Sequence, residues 1–243
     1  MSSKRVVLVT GGAVRLGRAT VELLARSGWR VAFTYRSSAA EAGELEANLR
    51  KEGRDVHAFQ ADLDDPPARR ALSAAVVERL GGLDALVNNA AVFPRTPLAA
   101  LDEARFAAVL RTNLEAPLFL ALAAREALAA RSGAVVNIAD IYGFFPLREH
   151  LAYSVAKAAL VAATKALAVE LAPAVRVNAV APGIALFPTD YDEDTKRRLV
   201  ARTLLKREGN AEEIARAVQY LLEGTLTMTG QVLVLDGGRT IAL

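Results

Sequence analysis

The chain has 243 residues, of which 53% are hydrophobic and 23% are charged, a composition typical of a folded protein with a well-buried core. It has no cysteine, which excludes disulfides, thiol catalysis and Cys-ligated zinc, and its two histidines, His57 and His150, are too far apart to suggest a metal site. The formal net charge of +3 is small and the basic residues are scattered, so we expect neither a nucleic-acid partner nor a membrane partner.

Short apolar runs rich in Val and Leu alternate with longer stretches of helical period along the whole chain. The predicted strands are residues 5–9, 30–35, 55–60, 84–88, 134–138, 175–180 and 231–235. The predicted helices are residues 16–26, 39–51, 67–80, 103–130, 152–171 and 211–222. Because the strands are apolar on both faces and alternate with helices, they predict a parallel sheet covered on both sides. We therefore expect a single doubly wound α/β domain over residues 1–243, in which helices flank a seven-stranded parallel sheet. Residues 185–194 contain Pro188, Thr189 and several acids. They interrupt the alternation of strand and helix patterns and predict a loop or lid.

The first predicted strand runs directly into a turn, Thr10-Gly11-Gly12-Ala13-Val14-Arg15-Leu16-Gly17, and a helix follows. Glycines there let the chain turn tightly and let backbone N–H groups approach a pyrophosphate at the helix N-terminus, as in a Rossmann-type fold. The place of the turn predicts a dinucleotide site that includes Gly11, Arg15 and Leu16. Arg15 stands where the common spacing has glycine. It is either a solvated residue of the first helical turn or, as we expect, a cation beside the cofactor phosphates or the substrate.

The end of the second strand indicates which dinucleotide binds. It reads Tyr35-Arg36-Ser37, and no acid stands there to accept the ribose hydroxyls of NAD. An arginine followed by hydroxyls suits the 2′-phosphate of NADP, so we predict NADPH/NADP as the cofactor. The alternative is that Arg36 is an exposed charge at a strand end. Asp62, followed by Leu63, is placed to accept from the adenine amino group, or else to cap the helix that begins near residue 66.

Tyr153 and Lys157 are four residues apart in a predicted helix, so their side chains share one face. A tyrosine, with a pKa of about 10, needs a nearby cation before it exchanges protons readily. Lys157 can provide that charge and can hold the nicotinamide ribose. The spacing is common by itself. Together with the glycine turn, with Asn89-Ala90-Ala91 after the fourth strand and with Asn113, it predicts a catalytic pair.

These motifs together resemble the short-chain dehydrogenase/reductase family from end to end. The matching residues are the turn 10–17, Asn89, Ala90, Asn113, Tyr153, Lys157, Pro182, Gly183, Asp236, Gly237 and Gly238. The resemblance implies that Tyr153 donates the proton, that Lys157 lowers its pKa and that Asn113 supports a proton-relay water. It also implies the strand order 3-2-1-4-5-6-7. Pro182-Gly183-Ile184 would lead into the nicotinamide pocket and the substrate lid.

One departure from that family pattern narrows the resemblance to a subgroup. Most members have serine after the fifth strand, where this chain has Asp140. Asp140, Arg15-Leu16-Gly17, Tyr35-Arg36-Ser37 and Phe93 resemble the pteridine reductases and the dihydromonapterin reductases. That resemblance implies that Phe93 stacks on a pterin and that Asp140 assists Tyr153 in protonating a ring nitrogen, with Arg15 beside the substrate. The alternatives are that Asp140 caps the turn after its strand and that Phe93 packs within its own loop.

The most specific function that these residues predict is NADPH-dependent reduction of a pteridine, with Arg15, Phe93, Asp140 and Tyr153 at the substrate. A first alternative is a carbonyl reductase acting on a 3-oxoacyl thioester or another ketone. A second is a non-catalytic NADP(H)-binding sensor. We expect a cytoplasmic protein, because the sequence has no signal peptide and no uncharged apolar run of about 18 residues. The family resemblance implies a homotetramer, in which the apolar residues 240–243 would suit a subunit contact.

Overall fold

A computed structural model describes residues 5–187 and 191–242. The strands are β1 Val6–Val9, β2 Arg30–Tyr35, β3 Val56–Gln60, β4 Ala85–Asn88, β5 Ala134–Ile138, β6 Arg176–Pro182 and β7 Val232–Leu235. The helices are α1 Arg15–Arg26, α2 Ala39–Lys51, α3 Pro66–Leu80, α4 Glu103–Leu110, α5 Ala116–Ala129, α6 Leu151–Leu171, α7 Glu193–Ala201 and α8 Ala211–Gln219. The seven strands pair in parallel in the order β3-β2-β1-β4-β5-β6-β7. The predicted fold class and the strand order that the resemblance implied are confirmed.

Alternation along the strands explains why both faces of the sheet are covered. Successive side chains of a strand point to opposite faces. In β1, Val7 and Val9 belong to one buried cluster with residues of α1, α2 and α8. Val6 and Leu8 belong to another with residues of α3, α5 and α6. Continuous apolar strands thus bury two layers of helices, and the carboxyl ends of the strands are left to form the site.

The predicted helix over 103–130 is interrupted. The chain forms α4, then a wider π-type turn over Arg111–Glu115, and then α5. Pro117 lies at the start of α5 and has no N–H to donate to the carbonyl of Asn113, so the regular α pattern breaks at this point. The break places Asn113, which is buried, on the turn itself.

The segment predicted as a loop or lid over 185–194 is only partly a loop. Helix α7 begins at Glu193, inside the segment predicted as loop, so that prediction is wrong for its last two residues and the helix is new. Asp192 caps this helix by accepting from the backbone N–H of Thr195, and Glu193 and Asp194 add negative charge to its first turn. Pro188 and Thr189 lie outside the described residues, as does Leu243 of the apolar tail.

Two helical stretches, Glu103–Ala129 and Leu151–Leu171, are long and apolar enough to cross a bilayer by length and composition alone. Both stretches contain charged residues, so neither is an uncharged apolar run. In the second stretch 56% of the most apolar window is buried inside the fold, and in the first 33% is. A helix that covers a parallel sheet is apolar on the side facing it, so core helices pass the same test.

Candidate active site

Two adjoining cavities open at the carboxyl ends of the strands, where sheets of this kind hold their ligands. The first has a volume of about 360 Å³, and the predicted residues lining it are Gly11, Arg15, Leu16, Tyr35, Arg36, Ser37, Asp62, Leu63, Asn89, Ala90, Ala91, Phe93 and Tyr153. The second has a volume of about 200 Å³, and it adds Asp140, Lys157, Pro182, Gly183 and Ile184. Arg15, Phe93 and Tyr153 line both. The structure brings every predicted site residue except Asn113 to the walls of these two cavities.

A larger cavity, of about 710 Å³, lies beside β7 and α8. Of the predicted site residues, only Ile184 lines it. The described residues of its walls include no group that the sequence links to catalysis, so its size does not make it the candidate active site.

The turn after β1 is held by a network of hydrogen bonds to the segment after β4. The hydroxyl of Thr10 accepts from the backbone N–H groups of Asn89 and Ala90 at 2.9 and 3.0 Å. The side-chain amide of Asn89 donates to the carbonyls of Thr10 and Gly11 at 2.8 and 3.0 Å. A Cβ on Gly17 would lie 2.1 Å from the Gly11 carbonyl oxygen, so no other residue fits there. The turn is thus a cradle built from backbone, as a pyrophosphate site requires.

Arg15 adopts a left-handed backbone conformation, with φ of 54°. Glycine adopts this conformation without strain, whereas other residues pay about 1–2 kcal/mol, which explains why the common spacing has glycine at this position. The side chain is exposed and borders both cavities. A strained residue that carries a charge to a cleft wall is typical of a ligand-binding role.

At the outer end of the first cavity, Arg36 faces two carboxylates. Its guanidinium lies 3.5 Å from Asp64 and 4.0 Å from Asp62. The hydroxyl of Thr112 also donates to Asp64, at 2.8 Å. Asp62 does not cap α3, because the cap is Asp65, which accepts from the N–H of Ala68. That alternative for Asp62 is therefore wrong. Neither Asp64 nor Thr112 was indicated by the sequence.

The catalytic candidates meet at the ends of β5 and α6. The hydroxyl of Tyr153 donates to Oδ2 of Asp140 at 2.8 Å. The other oxygen of Asp140 accepts from the N–H of Tyr142 at 2.8 Å, so Asp140 caps the turn after its strand and also contacts Tyr153. Nζ of Lys157 donates to the carbonyl of Ile138 at 2.7 Å and lies 5.6 Å from the centre of the Tyr153 ring. One carboxyl group, one phenol and one amine thus share a small, largely buried volume.

Burial changes the proton affinities of all three groups. It raises the pKa of Asp140, although the hydrogen bonds from Tyr142 and Tyr153 and the charge of Lys157 oppose the rise. It raises the pKa of Tyr153 well above its ordinary value, and the neighbouring Asp140 adds to the rise. It lowers the pKa of Lys157 to about 8. Burial and Asp140 both favour the protonated phenol and so oppose the lowering expected from Lys157, whose role toward the Tyr153 pKa stays a prediction.

Asn113 lies behind the cavities rather than in their walls. Its side-chain amide donates to the carbonyls of Val92 and Val109 at 3.0 and 3.1 Å, and its side-chain oxygen accepts from the N–H of Val92 at 3.2 Å. Asn113 therefore holds the segment that carries Phe93. Its role toward a relay water stays a prediction.

Phe93 projects between the two cavities with its ring 37% exposed. The His150 ring stacks on it at 4.3 Å, and the Tyr153 ring meets it edge-on at 4.6 Å. Phe93 is therefore packed within its surroundings and at the same time presents aromatic surface beside Tyr153. The sequence did not indicate His150, because its partner is far away in the chain.

Comparisons with known proteins identify relatives that match nearly the whole chain. A family model described as enoyl-(acyl carrier protein) reductase matches residues 12–240. The chain is 34% identical over 247 residues to cis-4-hydroxycyclohexanecarboxylate dehydrogenase of Sinomonas cyclohexanicum, covering 98% of this chain and 97% of the relative. It is 32% identical over 243 residues to 3-oxoacyl-[acyl-carrier-protein] reductase FabG of Staphylococcus aureus, covering 98% and 99%.

Among solved structures, the chain is similar to FolM alternative dihydrofolate reductase 1 from Brucella suis in complex with NADP. The TM-score is 0.93 and the identity 36%, and the match covers 100% of this chain and 98% of that one. A protein from Sinorhizobium meliloti 1021 described as a putative short-chain alcohol dehydrogenase also has a TM-score of 0.93, with 32% identity over 99% of this chain and 98% of that one.

Proposed function

The chain belongs to the short-chain dehydrogenase/reductase family, whose members are NAD(P)-dependent oxidoreductases, and from this premise we propose that it reduces the ring of a dihydropteridine with NADPH. The observation that carries the proposal is the hydrogen bond of 2.8 Å between Tyr153 and Asp140 in the second cavity. A carboxyl group at this place suits the protonation of a ring nitrogen, whereas a ketone reductase needs only a hydroxyl donor to the carbonyl oxygen.

The first cavity fits a dinucleotide. The cradle of Thr10, Gly11 and Asn89 would hold the pyrophosphate, and Gly11 and Gly17 allow the close backbone packing that shapes it. Arg36 and Ser37 line the outer end and suit the extra phosphate of NADP. The FolM relative was crystallised with NADP, which supports the same choice. When bound, NADPH supplies the hydride for the reduction.

The proton follows a path through the chain's own residues. Because the pKa of Tyr153 is raised, its hydroxyl keeps its proton at neutral pH and can pass it to a substrate nitrogen as the C=N bond is reduced. Tyr153 then takes a proton from Asp140, whose own pKa is raised by burial. Asp140 is partly accessible from the cavity, so it regains a proton from solvent. Lys157 contributes positive charge beneath the Tyr153 ring while the phenol is deprotonated.

The shape of the second cavity also supports a flat heterocycle. Its aromatic walls of Phe93, Tyr142 and Phe187 suit a flat bicyclic ring. Phe93 would cover one side of that ring, which agrees with the role implied by the subgroup resemblance.

The second candidate is a carbonyl reductase, favoured by the similarity to a 3-oxoacyl-[acyl-carrier-protein] reductase and to an alcohol dehydrogenase. In that case Asp140 occupies the serine position without a special role. A non-catalytic NADP(H) sensor is less well supported, because a sensor needs the cofactor cavity but not the Tyr153–Asp140–Lys157 arrangement.

The deciding experiment follows NADPH oxidation by the purified protein in parallel with dihydrobiopterin, dihydromonapterin, dihydrofolate and an acetoacetyl thioester. We expect turnover with the pteridines and none with the thioester. Turnover with the thioester alone would overturn the pteridine proposal in favour of the carbonyl reductase. NADPH binding without turnover of any substrate would favour the sensor.

The variant Asp140→Ser tests the carboxyl group itself. Loss of a group that takes part in proton transfer typically costs about 10²–10⁴-fold in rate, so we expect pteridine reduction to fall by at least about 10²-fold. The exposed Asp192→Ser variant, on the α7 cap, is the matched control and should leave the rate unchanged. Unchanged pteridine reduction in Asp140→Ser would remove Asp140 from the mechanism.

A further inference from the structure

A cation from the end of the chain lines the second cavity, and the mechanism above does not use it. Arg239 follows β7 and stands in the cavity wall with Tyr142 and Asp140. Its Cζ lies 5.6 Å from the centre of the Tyr142 ring. The charge of Arg239 reaches both neighbours, because it lowers the pKa of Tyr142 and of Asp140 against the rise that burial causes.

The local structure directs Arg239 toward the cavity. The carboxylate of Asp236 accepts from the N–H groups of Gly238 and Thr240 at 2.8 and 2.7 Å, which closes a tight turn around Arg239. Gly237 and Gly238 have φ of 62° and 79°, a conformation that other residues adopt only with strain. A Cβ on Gly238 would lie 2.8 Å from Cδ1 of Leu204. The turn is therefore specified by its sequence, and it fixes where the arginine stands.

The balance of charge in the cavity favours an anion. Among the described residues that line it, Arg15, Lys157 and Arg239 are the three cations and Asp140 is the one carboxyl group. Lys157 is engaged by the carbonyl of Ile138. Within residues 5–187 and 191–242, neither Arg15 nor Arg239 has a carboxylate within 4.0 Å, unlike arginines such as Arg18. A partly buried guanidinium without a carboxylate partner gains most from a ligand that brings one.

We propose that Arg239 binds a carboxylate of the substrate, so that the site prefers pteridines with an anionic substituent over neutral pterins. The inference rests on the proposed pteridine reductase function and adds a specificity-determining residue to it. A guanidinium can hold a carboxylate through two parallel hydrogen bonds, and the Tyr142 ring beneath it keeps the group in place.

The test compares ligands that share the pterin ring and differ in charge. Dissociation constants of pterin-6-carboxylate, folate and 6-hydroxymethylpterin are measured by titration calorimetry on the NADP⁺-loaded protein, in the wild type and in Arg239→Gln. The matched control is Arg70→Gln, which removes an exposed arginine of α3 that lines neither cavity. Affinity for the neutral ligand reports on whether the site is still folded in each variant.

We expect Arg239→Gln to weaken at least one of the two carboxylate ligands by about tenfold or more, the usual cost of losing a hydrogen bond to a charged group. Binding of 6-hydroxymethylpterin should stay within about twofold, and Arg70→Gln should change none of the three. Equal changes for charged and neutral ligands, or no change for any, would overturn the role of Arg239 while leaving the pteridine proposal standing. If the wild type binds none of the three ligands, the proposed function and this inference both fall.

Discussion

Two groups of ionisable side chains line the ends of the same cleft, and they differ chiefly in their contact with water. At the catalytic end, Tyr153 and Lys157 are only 6% and 3% exposed. At the cofactor end, the side chains of Arg36 and Asp62 are 57% and 53% exposed. Charges taken out of water change their proton affinities strongly, whereas charges left in water interact weakly and are screened by salt. The buried group is therefore built for proton transfer, and the exposed group for choosing a ligand by its charge.

The largest effect should come from the buried phenol. Tyr153→Phe removes the proton donor without changing the ring that packs on Phe93, so kcat should fall by about 10²–10⁴-fold. NADPH affinity, measured by fluorescence titration, should change little. Tyr220→Phe is the matched control, because Tyr220 is an exposed tyrosine that lines neither of the two cavities. A Tyr153→Phe enzyme that keeps more than about a tenth of the wild-type rate would contradict the assignment.

Asp140 belongs to the buried group, and its titration should change the stability of the folded protein with pH. Its pKa is raised in the folded protein, so its contribution is fully present below the unfolded value of about 3.9 and is lost as pH rises through the folded value. Asp140→Asn cannot ionise. The melting temperature of this variant, relative to wild type, should therefore rise as the pH increases above the unfolded value of about 3.9, and it should level off once the pH exceeds the folded pKa.

The exposed Asp192 is the control for that measurement. Hydrogen bonds from Thr195 lower its pKa, so its contribution is lost only at lower pH. The difference between Asp192→Asn and wild type should stay constant over the same range. A constant difference for Asp140→Asn as well would mean that the carboxyl group of Asp140 titrates normally.

The exposed group should determine the preference for NADPH over NADH. Arg36→Gln removes the charge that we assign to the 2′-phosphate of NADP, so KM for NADPH should rise about tenfold while KM for NADH stays within about twofold. The effect on NADPH should shrink as salt is added, because the arginine is exposed. An equal rise for both cofactors would point to a structural role of Arg36.

The fold and the site could be predicted from sequence where the pattern that specifies them is local in the chain. The alternation of strands and helices, the glycine turn and the spacing of Tyr153 and Lys157 are local patterns, and they yielded the fold and most of the cleft wall. The sites of Arg239 and His150 were not predictable, because each reaches its aromatic partner across a large separation in the chain.

Two further differences between the predicted and the observed helices have local causes. Pro117 breaks the long helix predicted over 103–130, since it removes a donor to Asn113. Asp192 and the two acids after it form an ordinary helix start, although they lie in the segment that was predicted as a loop. The direction of the shift in the Tyr153 pKa depends on burial and on the position of Asp140. Neither can be obtained from a spacing of four residues.

The smallest expected effect on cofactor binding comes from Asp64, which lies beside Arg36. It tests most closely how the exposed group differs from the buried one. Its carboxylate lies 3.5 Å from the Arg36 guanidinium, so it competes with the phosphate that Arg36 is assigned to bind. Asp64→Asn removes that negative charge and keeps an oxygen that can accept from the hydroxyl of Thr112. Because exposed ion pairs are weak, KM for NADPH should fall by only about two- to fivefold, with KM for NADH unchanged. A rise in KM for NADPH would mean instead that Asp64 helps to hold Arg36 where the phosphate arrives, and the exposed group would then be preorganised for its ligand as the buried one is.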